Sequence, residues 1–134
     1  MTVTLDLISS SPAEAPFDAR RVAACIEACF DCARACVLCG DACLAEPDNG
    51  GLLACIRINA DCADLCEATA RVIARQHAMD PALAQAVLQT CVAVTRLCAQ
   101  ECESHASRHR HCELCAEACR HCDATCRALL GSVV

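Results

Sequence analysis

Cysteine accounts for 17 of the 134 residues, and it recurs at a fixed spacing. Over "CIEACFDCARACVLCGDAC", Cys25, Cys29, Cys32, Cys36, Cys39 and Cys43 follow one another at intervals of 4, 3, 4, 3 and 4. That alternation is the repeat of the two inward positions of a helical heptad, so the six thiols share one face. Glu27, Asp31, Arg34 and Asp41 lie between them, on the side a helix turns to water. The segment is an amphipathic helix whose buried stripe is sulfur. A protonated Cys packs as a small hydrophobe, whereas its thiolate is a soft ligand suited to Cu(I), Zn(II) and iron–sulfur clusters.

Three more stripes follow. Cys55, Asn59, Cys62 and Cys66 share a face that continues through Ala70, Ile73 and His77. The next face reads Ala84, Leu88, Cys91, Thr95, Cys98, Cys102, His105 and His109, and the last reads Cys112, Cys115, Cys119, Cys122, Cys126 and Leu129 or Leu130. Asp18 is a natural N-cap for the first helix, which runs to about Ala45 before the turn "EPDNGG". Asp80 and Pro81 supply a cap and a first helical residue for the third. Four helices of similar length joined by short turns predict an all-α fold, an antiparallel up-down-up-down four-helix bundle with a Cys-lined core over residues 18–134. Residues 1–17, with "SSSPAEAP", show no lasting period and read as an N-terminal tail or short docking segment.

Counting back from the turns arranges the thiols in levels. Cys43, Cys55, Cys102 and Cys115 fall together, with Cys39, Asn59 or Cys62, Cys98 and Cys119 below, and then Cys32, Cys66, Cys91 and Cys122 or Cys126. Val22, Ile73, Ala84, Leu88 and Leu130 are expected to plug one end, and "SHASRHRH" to stand at the open one.

Composition excludes several functions. A formal net charge of −6 and the absence of Lys argue against nucleic acid as a partner. Charges interrupt every helix well before the roughly 18 apolar residues of a membrane span, so no membrane is expected. Arg20 and Arg21 precede an amphipathic, acidic stretch rather than the apolar run of an export signal. A cytoplasmic location with reduced thiols follows as the expectation. Disulfides within one helix face would close tiny loops, and an odd cysteine count leaves one thiol over. No Ser/His/Asp set, Gly-rich phosphate loop or isolated activated Cys points to an enzyme.

Spacing and charge then choose the metal. Thiolates at i and i+4 are near enough to meet on one low-coordinate ion, which suits Cu(I), whereas closed zinc sites normally take four ligands from CxxC knuckles. One Cu(I) per thiolate is neutral, whereas stacked four-thiolate zinc sites would each carry two negative charges into a dry core. The run CxxCxxCxxxCP of iron–sulfur proteins is absent. Storage of many Cu(I) ions is the first reading. A zinc or cadmium buffer of the metallothionein kind is the main rival, and a thiol redox reservoir the other.

The repeated CxxxC pairs Cys25/Cys29, Cys32/Cys36, Cys39/Cys43, Cys62/Cys66, Cys98/Cys102, Cys115/Cys119 and Cys122/Cys126 make the chain resemble the bacterial copper storage proteins from about residue 18 to 130. The resemblance implies Cu(I) held along a bundle interior. His rather than Met near the open end resembles the cytosolic branch of that family, and assembly as a homotetramer is implied in the same way. His105, His109 and His111 are expected to capture incoming Cu(I) and cap the outermost cluster. Helix N-termini at that mouth are expected to make Cys55, Cys112 and Cys115 ionise most readily. Asn59, in the Cys register, either bonds backbone or water or offers its carbonyl to a copper cluster. His77 is assigned to the plugged end and His121 to the outside.

Overall fold

The computed structural model describes residues 2–132. Helices α1 (Thr2–Ser10), α2 (Ala19–Ala45), α3 (Leu53–Ala74), α4 (Pro81–Glu103) and α5 (Arg110–Leu130) follow in order, with a 3₁₀ turn at Gly50–Leu52. The last four form the antiparallel bundle, in which α2 neighbours α3 and α5, and α4 neighbours the same two. Their lengths of 27, 22, 23 and 21 residues make a rod, about 30–40 Å long at 1.5 Å per residue.

The caps act as their residue types suggest. Asp18 accepts from the Arg21 amide at 3.1 Å, and Asp80 from the Ala82 and Leu83 amides at 2.8 and 3.3 Å, with Pro81 opening α4. At the other end of α3 the helix stops at Ala74, so His77 lies outside it, exposed in the corner that Ala78 turns with φ of 55°. α4 has the length and a mean hydropathy of 1.4 that would suit a membrane span. Its Ala84, Leu88, Cys91, Val94, Cys98 and Cys102 are instead buried in the bundle.

Val22, Ile73, Ala84 and Leu88 are fully buried at the plugged end, joined by Phe17 and Ile26. Of the two candidate leucines of α5, Leu129 is the fully buried one, and Leu130 is half-buried against it.

The N-terminal segment is more ordered than its composition suggests. Thr2–Ser10 is helical, and it ends just before Ser11, whose proline neighbour disfavours helical backbone. Nine residues are too few to hold a helix alone. α1 rests on α2, through a hydrogen bond from the Thr4 hydroxyl to the Glu27 carboxylate and through Ile8, which packs against the core.

The plug carries much of the fold's stability, because it holds the largest fully buried aliphatic side chains. Leu88→Ala is expected to destabilise the reduced protein by about 2–5 kcal/mol and Asp80→Ala by about 1 kcal/mol. Thermal unfolding under anaerobic, reducing conditions measures both.

Candidate metal centre

All 17 cysteines are free and buried, none more than 1% exposed. They form one continuous column of sulfur. At the plugged end Cys25 lies 3.7 Å from Cys126, and Cys29 lies 3.7 Å from Cys126, 3.6 Å from Cys122 and 3.9 Å from Cys91. Cys66 bridges upward, 3.8 Å from Cys91 and 3.7 Å from Cys62. Cys32 meets Cys62 at 3.9 Å and Cys119 at 3.7 Å, while Cys36 meets Cys98 at 3.9 Å, Cys115 at 3.8 Å and Cys119 at 4.0 Å. Nearer the mouth Cys55 pairs with Cys102 at 3.7 Å, and Cys39, Cys43 and Cys112 form a triangle with sides of 3.9–4.0 Å.

Sulfurs are shared between sets close enough to hold an ion. Cys32, Cys36, Cys62 and Cys119 make one set and Cys36, Cys98, Cys115 and Cys119 another. Cys32 recurs with Cys66 and Cys122, and Cys122 again with Cys29, Cys91 and Cys126. Thr95 occupies the α4 position between Cys91 and Cys98, and its hydroxyl is spent on the Cys91 carbonyl at 2.8 Å.

The register differs from a count along the turns. Cys32, Cys66 and Cys122 do share a level, but Cys36 rather than Cys39 joins Cys98 and Cys119. Cys39 stands at the level where Cys102, Cys115 and Cys55 favour its thiolate, and it also closes the mouth set with Cys43, Cys112 and His111. The 3₁₀ turn Gly50–Leu52 explains the offset. Its three residues add about 6 Å above α3, and four residues of α2, from Cys39 to Cys43, rise about the same.

Asn59 is fully buried among these thiols. Its Oδ1 accepts from Cys98 at 3.2 Å, Cys115 at 3.3 Å and Cys102 at 3.7 Å, and its Nδ2 donates to Cys55 at 3.6 Å. Each of these partners is a thiol.

Thiols in contact do not ionise alike. Hydrogen bonds from Cys126 and Cys29 lower the Cys25 pKa to about 5. Cys32, Cys39, Cys91 and Cys98 are lowered in the same way by neighbouring S–H donors. The donors rise in turn, as Cys29, Cys36, Cys102 and Cys119 do, because donation requires the proton. At the mouth the expectation from helix N-termini fails for two residues. Burial and the negative charge of Cys39 push Cys112 up. The hydrogen bond from Cys102 favours the Cys55 thiolate, but Cys39 and burial outweigh it and Cys55 is raised. Burial likewise lifts Cys43 to about 11, so Cys39 is the mouth thiol poised to ionise.

The three histidines take different places. His111 turns inward, with Nδ1 at 3.5 Å from Cys39, 3.8 Å from Cys43 and 3.5 Å from Cys112. His109 is the residue before α5 and stacks on His111 with ring centroids 5.3 Å apart. His105 is buried but points elsewhere. Its Nδ1 faces the Arg108 guanidinium at 3.4 Å, so the proton sits on Nε2, which donates to Glu101 at 2.8 Å. His121 is exposed on α5.

Glu46 is the mouth residue that pattern reading passes over as part of a turn. One oxygen, Oε2, lies 2.8 Å from His111 Nε2 and 3.0 Å from His109 Nδ1. The His111 bond holds the Glu46 pKa below the usual carboxylate value. Burial opposes the His111 imidazolium, but the bonds to Cys39 and Glu46 outweigh it and raise its pKa. Glu46 stands three residues beyond Cys43, continuing the Cys interval, which is the signal that marks it.

The sequence model described as "Copper storage protein" matches residues 18–131. Among solved structures, the copper storage protein Ccsp from Streptomyces lividans loaded with 10 copper equivalents is 46% identical, with a TM-score of 0.94 over 97% of this chain and 99% of that one. A cytosolic copper storage protein from Streptomyces lividans with five coppers is 49% identical, with a TM-score of 0.82 over 84% of this chain and 93% of that one. The Cu(I)-bound storage protein BsCsp3 is 34% identical, with a TM-score of 0.74 over 82% of this chain and 98% of that one. With the match running from the cap of α2 to the end of α5, the chain belongs to the copper storage protein family.

Proposed function

We propose that this protein stores Cu(I), its 17 cysteines supplying the ligands as bridging thiolates along the bundle axis. The observation that carries the reading is the sharing of sulfurs, since Cys32, Cys36, Cys119 and Cys122 each belong to two adjoining sets. Shared thiolates build clusters with about one monovalent ion per sulfur, in which charge cancels as it accumulates. A metal–thiolate bond of about 2.3 Å in a trigonal or tetrahedral site needs sulfurs about 4 Å apart. The thiols already stand 3.6–4.0 Å apart, so loading needs little movement.

Charge favours copper over zinc. Among the described residues the buried polar groups are Asn59, Thr69, Gln76, Thr95, His105 and Asp123, with no Arg to offset repeated four-thiolate dianions. The function is binding rather than turnover, and each copper displaces a thiol proton. His111 meets incoming copper together with Cys39, Cys43 and Cys112. His109 flanks that site, and Asn59 offers its carbonyl to the cluster of Cys98, Cys102 and Cys115. The bundles work in the cytosol, as the Streptomyces lividans relative is described to do, and assemble as tetramers. Exposed Phe30, Val37 and Leu44, two turns apart along α2, are apolar surface for such contacts.

Anaerobic titration with Cu(I) against a competing chelator is expected to saturate near one copper per cysteine. Saturation near four ions, matched by tight zinc, would favour the buffer, and reversible thiol loss without metal the redox reservoir.

The pH dependence follows from the raised His111 pKa. A protonated imidazole cannot take copper, so uptake of the first equivalent is expected to slow as pH falls through a value above 6.5, and His111→Ala to lose that inflection. The imidazolium–Glu46 pair also stabilises the fold, fully between the ordinary carboxylate and His values, fading as pH rises through the raised His111 value and as it falls through the lowered Glu46 value. Stopped-flow uptake and thermal unfolding against pH measure the two effects.

A further inference from the structure

We infer that Glu46 is a positioning residue for copper uptake, holding His111 as the Nε2–H tautomer so that its bare Nδ1 faces the mouth thiols. The inference rests on the storage reading, in which His111 takes metal at the mouth.

The imidazole has an acceptor on each side. Glu46 Oε2 lies 2.8 Å from Nε2, and the Cys39 sulfur lies 3.5 Å from Nδ1. A neutral ring carries one N–H, and the two acceptors compete for it. The carboxylate wins, because a charge-assisted N–H···O bond at this distance is stronger than a long contact to sulfur. Nδ1 is then left with its lone pair directed at Cys39, Cys43 and Cys112. Were the proton on Nδ1, it would block the one ring atom that shares a site with those thiols. Carboxylate behind a metal-binding imidazole is the general way such a ring is fixed, and loss of the carboxylate typically costs 10–100-fold.

Backbone and neighbours hold Glu46 where it acts. It caps the C-terminus of α2 with its amide 3.3 Å from the Cys43 carbonyl, and its extended ψ of 135° leaves the helix path. The same Oε2 lies 3.0 Å from His109 Nδ1, and the stack of His109 on His111 braces both rings against it. His105, in the turn after α4, instead has its ring between Glu101 of that helix and Arg108, with Nε2 donating to Glu101. The pairing of α2's end with α5's start therefore singles out His111.

The test compares wild type, Glu46→Ala, Glu46→Gln and His111→Ala as full-length, metal-free, reduced protein. Nitrogen-15 NMR, at a pH where the ring is neutral, reads the His111 tautomer. Anaerobic stopped-flow mixing with chelator-held Cu(I) reads the rate of first-equivalent uptake. Wild type should show Nε2–H. Glu46→Ala should gain Nδ1–H and slow uptake about tenfold, with unchanged copper capacity and unchanged helicity. Glu46→Gln, whose amide oxygen still accepts from Nε2–H, should keep the tautomer and fall between the two in rate. If His111→Ala slows uptake while Glu46→Ala keeps the wild-type nitrogen shifts or the wild-type rate, the positioning role is overturned. If His111→Ala takes up copper as wild type does, the mouth assignment fails, and this inference fails with it.

Discussion

The structure depends on sulfur atoms packed within 3.6–4.0 Å of one another along the axis of a bundle. A thiol is a weak donor and a weak acceptor, so no single contact in the column holds much. Cys is also small, and a core built from it must be narrow. Ala28, Ala63, Ala70, Ala99 and Ala116 are buried beside the thiols, letting the helices approach closely enough for sulfurs on opposite helices to touch. Stability then has to come from where the column ends. Val22, Ile73, Leu88 and Leu129, all fully buried, form a conventional aliphatic layer, and burial of such side chains contributes about 1.5–3 kcal/mol each. The plug is the part of the core that does not change when the thiols do.

Charge is the second constraint. A dry interior tolerates few unpaired ions, and the thiols respond by dividing roles. Cys25, Cys32 and Cys39 on α2 and Cys91 and Cys98 on α4 are favoured as thiolates, each supported by neighbours that keep their protons. The favoured positions are spread along the column rather than gathered at the mouth. Exchange of a proton for Cu(I) leaves the net charge of the interior unchanged, so the same packing serves the protonated and the loaded protein.

Much of this was legible in the sequence, because the heptad interval of Cys is so strict. The stripes fixed the four helices, Asp18 and Asp80 marked their starts, and every cysteine assigned inward is buried. Other features needed the folded chain. α1 is nine residues long, too short to show a period, and exists by resting on α2. The 3₁₀ turn at Gly50–Leu52 lifts the α2 register by one thiol, a shift no hydrophobic pattern encodes. Cys55 and Cys112 lie in first helical turns, where the dipole favours thiolates, yet burial and neighbouring sulfur outweigh it. Glu46 and His105 belong with these. A carboxylate in a turn and a buried His after a helix look alike in sequence, and only their partners separate a mouth residue from a strut.

Asn59 shows how one polar residue meets both demands of such a core. In the protonated column its carbonyl accepts from Cys98, Cys102 and Cys115, while its amide donates to Cys55. A carboxamide carries donors and an acceptor on one group, so it can bond a neighbouring sulfur whether that sulfur holds its proton or not. A Leu there would leave the three thiols without an oxygen, and an Asp would add an uncompensated charge beside sulfurs that lose protons on loading. A fourth thiol would extend the column but remove the oxygen that accepts from Cys98, Cys102 and Cys115. The amide is the group at that position whose hydrogen bonding can be satisfied while the sulfurs around it change protonation.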